Sequence, residues 1–435
     1  MPCRSITANS LQEWQEASKW LNDRTNSSQD VEANVREILQ EVKTSKDEAL
    51  IKYTKQFDCP DFEGAIRISE QDLALAAATV SAEQRDQIYA AADNIRFFHE
   101  AQKEKSWFIT RPDGTILGQK VQPVDAVGLY VPGGSGGSTP LISTLLMNAI
   151  PAQTAGVKRI CICTPPRKDG SVNEHILAAA HLLNLNEIYR VGGAWSIGAM
   201  AFGTQSIPKV DVIAGPGNIY VTTAKRLVQG KVGIDMIAGP SEVLILCDGS
   251  AHVDWLAADL LSQAEHDKLA SAICITTEKR IFDELPRELA HQCAKLPRVD
   301  IAKAALKDWG AIVLAKNMAC AIDIANDIAP EHLEIYTRDP WGIMPQIRHA
   351  GAIFLGPNSP EPLGDYYAGP NHVLPTMGTA RFSSALSVQT FCKKSSIIAA
   401  SNYFLQTSIK DVADLARLEG LEAHARSVEI RRRKG

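Results

Sequence analysis

No stretch of this 435-residue sequence approaches the about 20 uninterrupted apolar residues that a membrane-spanning helix needs. The nearest, Pro140 to Val157, is interrupted by prolines, Asn148 and Gln153, so no membrane partner is expected. The first twenty residues lack the apolar core of a signal peptide. Paired CxxC motifs are also missing, although nine cysteines run from Cys3 to Cys392. An odd, scattered set suits reduced thiols, which makes a cytoplasmic protein the expectation. There is little excess of either charge, with a net of -5, and so no footing for nucleic acid. The one basic block, Arg431 to Lys434, reads as a solvated helix end.

What is present is ordinary globular material: 45% hydrophobic and 22% charged residues, enough to exclude long disordered regions. The length exceeds the roughly 250–300 residues at which single cores stop growing, so two or more domains are expected. Residues 1–110 read as a helical N-terminal region. Apolar residues recur there at helical spacing, as in Val35, Ile38, Leu39 and Val42, and again in Ile88, Ala91, Ala92 and Ile95. After Trp107 short apolar runs alternate with amphipathic stretches. Strands are predicted at 124–131, 159–164, 187–191 and 210–213, with helices at 141–148, 174–183, 197–202 and 220–228 between them. A second series has strands at 242–246, 272–276, 311–314, 333–336 and 352–355, separated by helices at 252–266, 281–296, 318–327 and 341–349. The alternation predicts two consecutive Rossmann-like α/β domains with parallel sheets, at 111–240 and 241–390. Residues 391–435 read as a helical tail too short to hold a core, which must dock on something.

Several segments carry residues suited to chemistry. Gln263 and His266 stand three apart on a predicted helix and leave one face, where they either meet a shared cation or remain solvated. Glu331 and His332 lie between a proline break and a strand, where general acid and base groups are often mounted; the plainer reading is a surface turn. Asp365 stands in a loop dense in glycine and aromatics that ends at His372, and is either a metal ligand or a turn former. His424 lies in the C-terminal helix behind Glu419 and Glu422. Together Gln263, His266, Asp365 and His424 make a nitrogen and oxygen set suited to zinc. In the first α/β domain Tyr130 ends a strand ahead of Gly133 and Gly134, and Gly217 and Asn218 precede a helix. Neither loop is a GxGxxG fingerprint, so tight turns compete with a dinucleotide site. Ser241, between the two domains, is either the floor of a cleft or a turn cap.

Taken together these motifs resemble the histidinol dehydrogenase family. The matching stretches are GLYVPGG (128–134), LMNAIPA (146–152), FGTQSIPKVDVIAGPGNIYVT (202–222), DMIAGPSEVLI (235–245), LLSQAEHD (260–267), APEHLEI (329–335), GPNHVLPT (369–376), ARFSS (380–384) and EGLEAHA (419–425). They follow the family's order and cover most of the chain from about residue 120. The resemblance implies an arrangement like that of aldehyde dehydrogenases and oxidation of L-histidinol to L-histidine through a bound aldehyde, with NAD taking two hydrides. It implies one zinc per subunit, held by Gln263, His266, Asp365 and His424, with Ser241, Glu361, His372 and Glu419 near the substrate. His332 is implied as the base for the hydroxyl and Glu331 as the group that activates water for the aldehyde. Tyr130, Gly217 and Asn218 match the region that contacts NAD. The family's homodimers exchange the C-terminal helix, which implies that Glu419 and His424 enter the partner's site.

One position departs from the pattern. The family has glutamine where this sequence has Trp195, in Gly192-Gly193-Ala194-Trp195-Ser196. The indole either stacks on NAD, narrows its pocket or weakens its binding. An alternative reading is a related zinc and NAD dehydrogenase of another small polyol, such as a sulfonated diol. Glu419 argues against it, because an anionic substrate should meet a basic residue there.

Overall fold

In the computed structural model, residues 3–24, 29–133 and 141–432 are described; Gly134, Pro140, Arg433 and Lys434 lie outside them. Two parallel sheets organise the chain. In the first, β4 (Ala126–Tyr130), β5 (Arg159–Thr164), β6 (Glu187–Arg190), β7 (Val212–Ala214) and β8 (Gly233–Ile234) stand in the order β6-β5-β4-β7-β8. The order reverses between β4 and β7, where ligands of such sheets bind beyond the carboxyl ends of the strands. The second sheet holds β9 (Glu242–Cys247), β10 (Ser271–Thr276), β11 (Gly310–Ala315), β12 (His332–Tyr336) and β13 (Ala352–Leu355). β9, β10 and β12 are buried along their whole length, as expected of central parallel strands covered on both faces. The mixed α/β architecture with parallel sheets expected from the sequence is present.

The N-terminal helices have no core of their own. Gln29–Ser45 and Asp47–Phe57 pack on helix Gly193–Phe202, so Val35, Leu39, Val42 and Leu50 share one core with Tyr130, Trp195 and Ile213. Helix Ala82–Glu100 starts at a capping box between Ser81 and Gln84 and packs on helix Ile142–Ala155. Ile88, Ala92 and Ile95 thereby join Leu145, Ile150 and Ile162. Both faces of the first sheet are closed by this region, while two further cores flank the second sheet.

Strands also lie where helices alone were expected. β1 (Arg4–Ala8) pairs in parallel with β11 and forms an edge of the second sheet, so the chain begins in its second half. β14 (Cys392–Ala399) opens the tail and pairs antiparallel with β3 (Ile116–Pro123), which also pairs with β2 (Trp107–Thr110). The helix expected at 341–349 is only one turn, Pro340–Ile343, followed by a 3-10 turn at Met344–Gln346. Pro345 removes a donor there and bars continuation. The helix expected at 252–266 ends at Ala264, and His266 sits in the turn beyond it. After β14 the chain forms two helices, Asn402–Leu418 and Glu422–Glu429, which pack on each other.

Candidate active site and its relatives

The amino ends of β9 and β12 lie side by side at the point where the second sheet's order reverses, with His332 opposite Val243. Helix Met318–Ile328 stops at Ala329, which takes a left-handed conformation (φ 50°), and Pro330 prevents a further turn. Glu331 and His332 are delivered straight into β12 and are both buried. Glu331 Oε2 accepts the Glu242 N–H at 2.8 Å. The His332 Nδ1–H donates to the Glu242 carbonyl at 2.8 Å. That bond requires a proton on Nδ1 and leaves Nε2, which has no hydrogen-bond partner among the described residues, as the ring nitrogen that can exchange a proton.

Helix Glu361–Tyr366 carries two more acids against this pair. Asp365 Oδ1 stands 3.7 Å from His332 Nε2, an ion-pair distance longer than a hydrogen bond. The His372 Nδ1–H donates to the Asp365 carbonyl at 3.0 Å. Glu361 is 1% exposed; its Oε2 accepts from the Ser262 hydroxyl at 3.0 Å and its Oε1 has no partner. Helix Val253–Ala264 presents Gln263, wholly buried with both amide atoms unpaired. Ligand atoms of His266, Glu361 and Asp365 all lie within 4.8 Å of one another. Gln263, whose amide has no partner among the described residues, follows Ser262, which bonds Glu361, and with three converging ligand groups this is an environment a cation would complete. The resemblance named His266 and Asp365 for this cluster; Glu361, expected only near the substrate, stands inside it.

The electrostatics follow from burial and from an excess of acids. Burial pushes the Glu331 carboxyl up to about 8 despite His332 beside it. Burial alone would lower His332, but Glu331, Asp365 and Glu361 outweigh it and hold the imidazole up at about 10. Glu361 is pushed up to about 7 by burial and by Asp365. His266 keeps an exposed edge, yet the protein around its ring desolvates it and lowers its pKa. Burial likewise lowers His372. A cavity of about 440 Å³ opens over His332, Asp365 and His372 and is walled by Phe98, Phe354 and Leu386.

Other expected residues fall elsewhere. Ser241 is half-buried immediately before β9, with its carbonyl accepting from the Ser271 N–H at 2.9 Å. Glu419 and His424 are exposed at the C-terminal helices. Tyr130 ends β4, buried, with its hydroxyl toward the Gly193 N–H. Gly215 has φ 121°, and a side chain there would collide with the Tyr130 carbonyl, so the loops after β4 and β7 touch. Gly217 is part of that loop, and Asn218 caps helix Ile219–Val228, accepting from the Tyr220 and Val221 N–H groups. Trp195 is 5% exposed; it stacks on Tyr53 and Phe57 at 5.9 and 5.5 Å and donates to the Thr54 hydroxyl at 3.2 Å. Its ring belongs to the packing of helix Asp47–Phe57. Glu242, which touches both Glu331 and His332, lies in a quoted motif but was not singled out.

Comparison with known proteins gives these side chains a family context. The family model described as histidinol dehydrogenase matches residues 21–432. A histidinol dehydrogenase of Nitratidesulfovibrio vulgaris is 61% identical over 432 residues, covering 99% of each chain. That of Bacillus subtilis is 50% identical, covering 92% of this chain and 93% of the relative. The crystal structure of histidinol dehydrogenase from Elizabethkingia anophelis superposes with a TM-score of 0.93 at 39% identity, covering 99% of this chain and 98% of that one. The chain belongs to the histidinol dehydrogenase family.

Proposed function

We propose that this chain oxidises L-histidinol to L-histidine, the closing oxidation of histidine biosynthesis, in two steps at the site beneath the 440 Å³ cavity. The observation that carries the reading is the His332 ring, tethered at Nδ1 and open at Nε2. NAD, when bound, supplies the hydride acceptor for each oxidation. Facing Glu331, Asp365 and Glu361 alone the ring would keep its proton; with a cation beside Asp365 offsetting those charges, His332 Nε2 would be free to take the proton of the substrate hydroxyl as the carbinol carbon gives up a hydride, leaving an aldehyde. In the second, Glu331 draws a proton from water as it adds to the aldehyde while His332 returns its proton to the carbonyl oxygen, and His332, free again, takes a hydroxyl proton of the hydrate as the second hydride leaves to NAD. The acid product completes the four-electron change. Nothing in the site or among the relatives favours the sulfonated diol.

Gln263, His266 and Asp365 would hold zinc, with His424 of the partner subunit as a further ligand. The unpaired Gln263 amide and the converging His266 and Asp365 support this ligand set. Zinc would supply an anchor for the substrate's imidazole and amine, an effect of orientation. The remaining assignments place Ser241, Glu361, His372 and the partner's Glu419 around the substrate, and Tyr130, Trp195, Gly217 and Asn218 on the NAD side. A homodimer with exchanged C-terminal helices accounts for exposed Glu419 and His424 and for the exposed apolar residues Leu415, Leu418 and Ile430 beside them. All nine cysteines are free thiols, eight of them buried, which supports a reducing cytoplasm. Dialysis against a chelator tests the metal: turnover is expected to vanish and to return with zinc, and full turnover in metal-free protein would exclude it.

A further inference from the structure

Glu242 is bonded to both bases and to the N-terminal segment at once. Its N–H fixes the Glu331 carboxylate and its carbonyl fixes the His332 ring. Its own carboxylate returns the contact: Oε2 accepts the Glu331 N–H at 3.3 Å, and Oε1 accepts the Met377 N–H at 3.1 Å. Oε1 also pairs with Arg24 Nη1 at 2.9 Å, and Arg24 Nη2 donates to the Pro240 carbonyl at 2.9 Å. Both side chains are almost wholly buried, at 4% and 8% exposure. Arg24 reaches them from the end of the 3-10 turn Lys19–Arg24, 218 residues away in sequence. A cavity of about 380 Å³ lies between that segment and the strands, lined by Trp14, Leu21, Arg24, Glu242 and Met377.

A buried carboxylate is held in place only while it is paired, and one robbed of its cation must either take up a proton or turn toward water. Either change moves the strand end whose peptide groups orient both bases. We propose that Arg24 and Glu242 are positioning residues, a buried ion pair through which the N-terminal segment sets the orientation of Glu331 and His332. The inference rests on the roles given to those two residues above. Arg24 is bonded to neither base; it reaches them through the Glu242 carboxylate and through the Pro240 carbonyl two residues before it. The carboxylate supplies what a hydrophobic pair would not: acceptors for the N–H groups of Glu331 and Met377, which tie β12 and the 377 turn to β9.

Steady-state kinetics of the full-length, zinc-supplied enzyme separates this from a merely structural role. Arg24→Met is expected to lower kcat by about 10- to 100-fold, the loss typical of a misplaced reacting group, with KM for histidinol within about twofold and zinc content unchanged. Arg24→Lys, which keeps the charge and loses the fork to Pro240, should recover most of that loss. Glu242→Gln keeps an acceptor without a charge; combined with Arg24→Met it should be less impaired than Arg24→Met alone, because no unpaired charge remains buried. If Arg24→Met does not fold, the Glu242→Gln kinetics decide: a fall in kcat at constant KM supports the relay, and wild-type kcat overturns it. Wild-type kcat in folded Arg24→Met overturns it as well. Failure of the wild-type enzyme to oxidise histidinol would instead remove the proposed function itself.

Discussion

Under the proposed mechanism His332 and Glu331 divide the work because different atoms tether them. The imidazole is held at Nδ1 and acts through Nε2, whereas the Glu331 carboxylate is held at Oε2 and carries a pKa of about 8, close enough to neutrality to exchange protons with water. His332→Asn should therefore leave a folded protein whose alcohol oxidation falls by about 10²- to 10⁴-fold, as read by NADH formation from histidinol. Glu331→Gln should stall oxidation of supplied histidinaldehyde more than oxidation of histidinol; equal losses would contradict the division of labour. Asp58 offers a separate test of burial. Its Oδ2 is buried without a partner, and burial raises the carboxyl from its ordinary 3.8 to about 7. Its contribution to stability is full below about 3.8 and is lost as pH rises through about 7, since the folded state must then carry a buried charge. Asp58→Asn should raise the melting temperature by roughly 2–4 °C at pH 8.5 and by less at pH 5.5. An equal gain at both would place the penalty elsewhere. The residues proposed as bases and ligands stand out in the sequence because they sit in short, dense motifs. Glu242 was not, since a glutamate at the first position of an apolar strand gives no sequence signal, and Arg24 gives none at all at a separation of 218 residues.

At the scale of elements, the central strands and their covering helices were legible from apolar runs and helical spacing. Two edge strands were not: β1 and β14 pair with β11 and β3, ladders offered by distant parts of the chain. Helix Asp47–Phe57 shows a related effect. Trp195, for which the sequence left three effects on NAD open, is packed in the fold, with its indole against Tyr53, Thr54 and Phe57. Trp195→Ala should destabilise the protein by about 3–5 kcal/mol, the usual cost of emptying a buried aromatic site. Chemical denaturation would check it, and a loss below about 1 kcal/mol would show the ring to be dispensable to the core.

The molecule as a whole presents opposite ends of its two sheets to one junction. The chain leaves β8 at the carboxyl edge of the first sheet and enters β9 at the amino edge of the second after only residues 235–241. The loops proposed to hold NAD follow β4 and β7 of the first sheet, and the proposed catalytic pair begins β12 of the second, so on this reading the site would draw on both sheets. The exposed C-terminal helices are where a second subunit would contribute under the proposed exchange. If Glu419 and His424 act in the partner's site, mixing inactive His332→Asn with inactive His424→Ala subunits should regenerate about a quarter of the wild-type rate, because half of the dimers then hold one intact site. No recovery would confine each site to one chain. The most direct test of the central claim is the stoichiometry of the reaction, with NADH followed by absorbance and histidine by chromatography. Two NADH for each histidine formed from L-histidinol, with no aldehyde released, is the predicted result. One NADH for each histidinol consumed, with free aldehyde accumulating, would contradict a two-step oxidation at a single site.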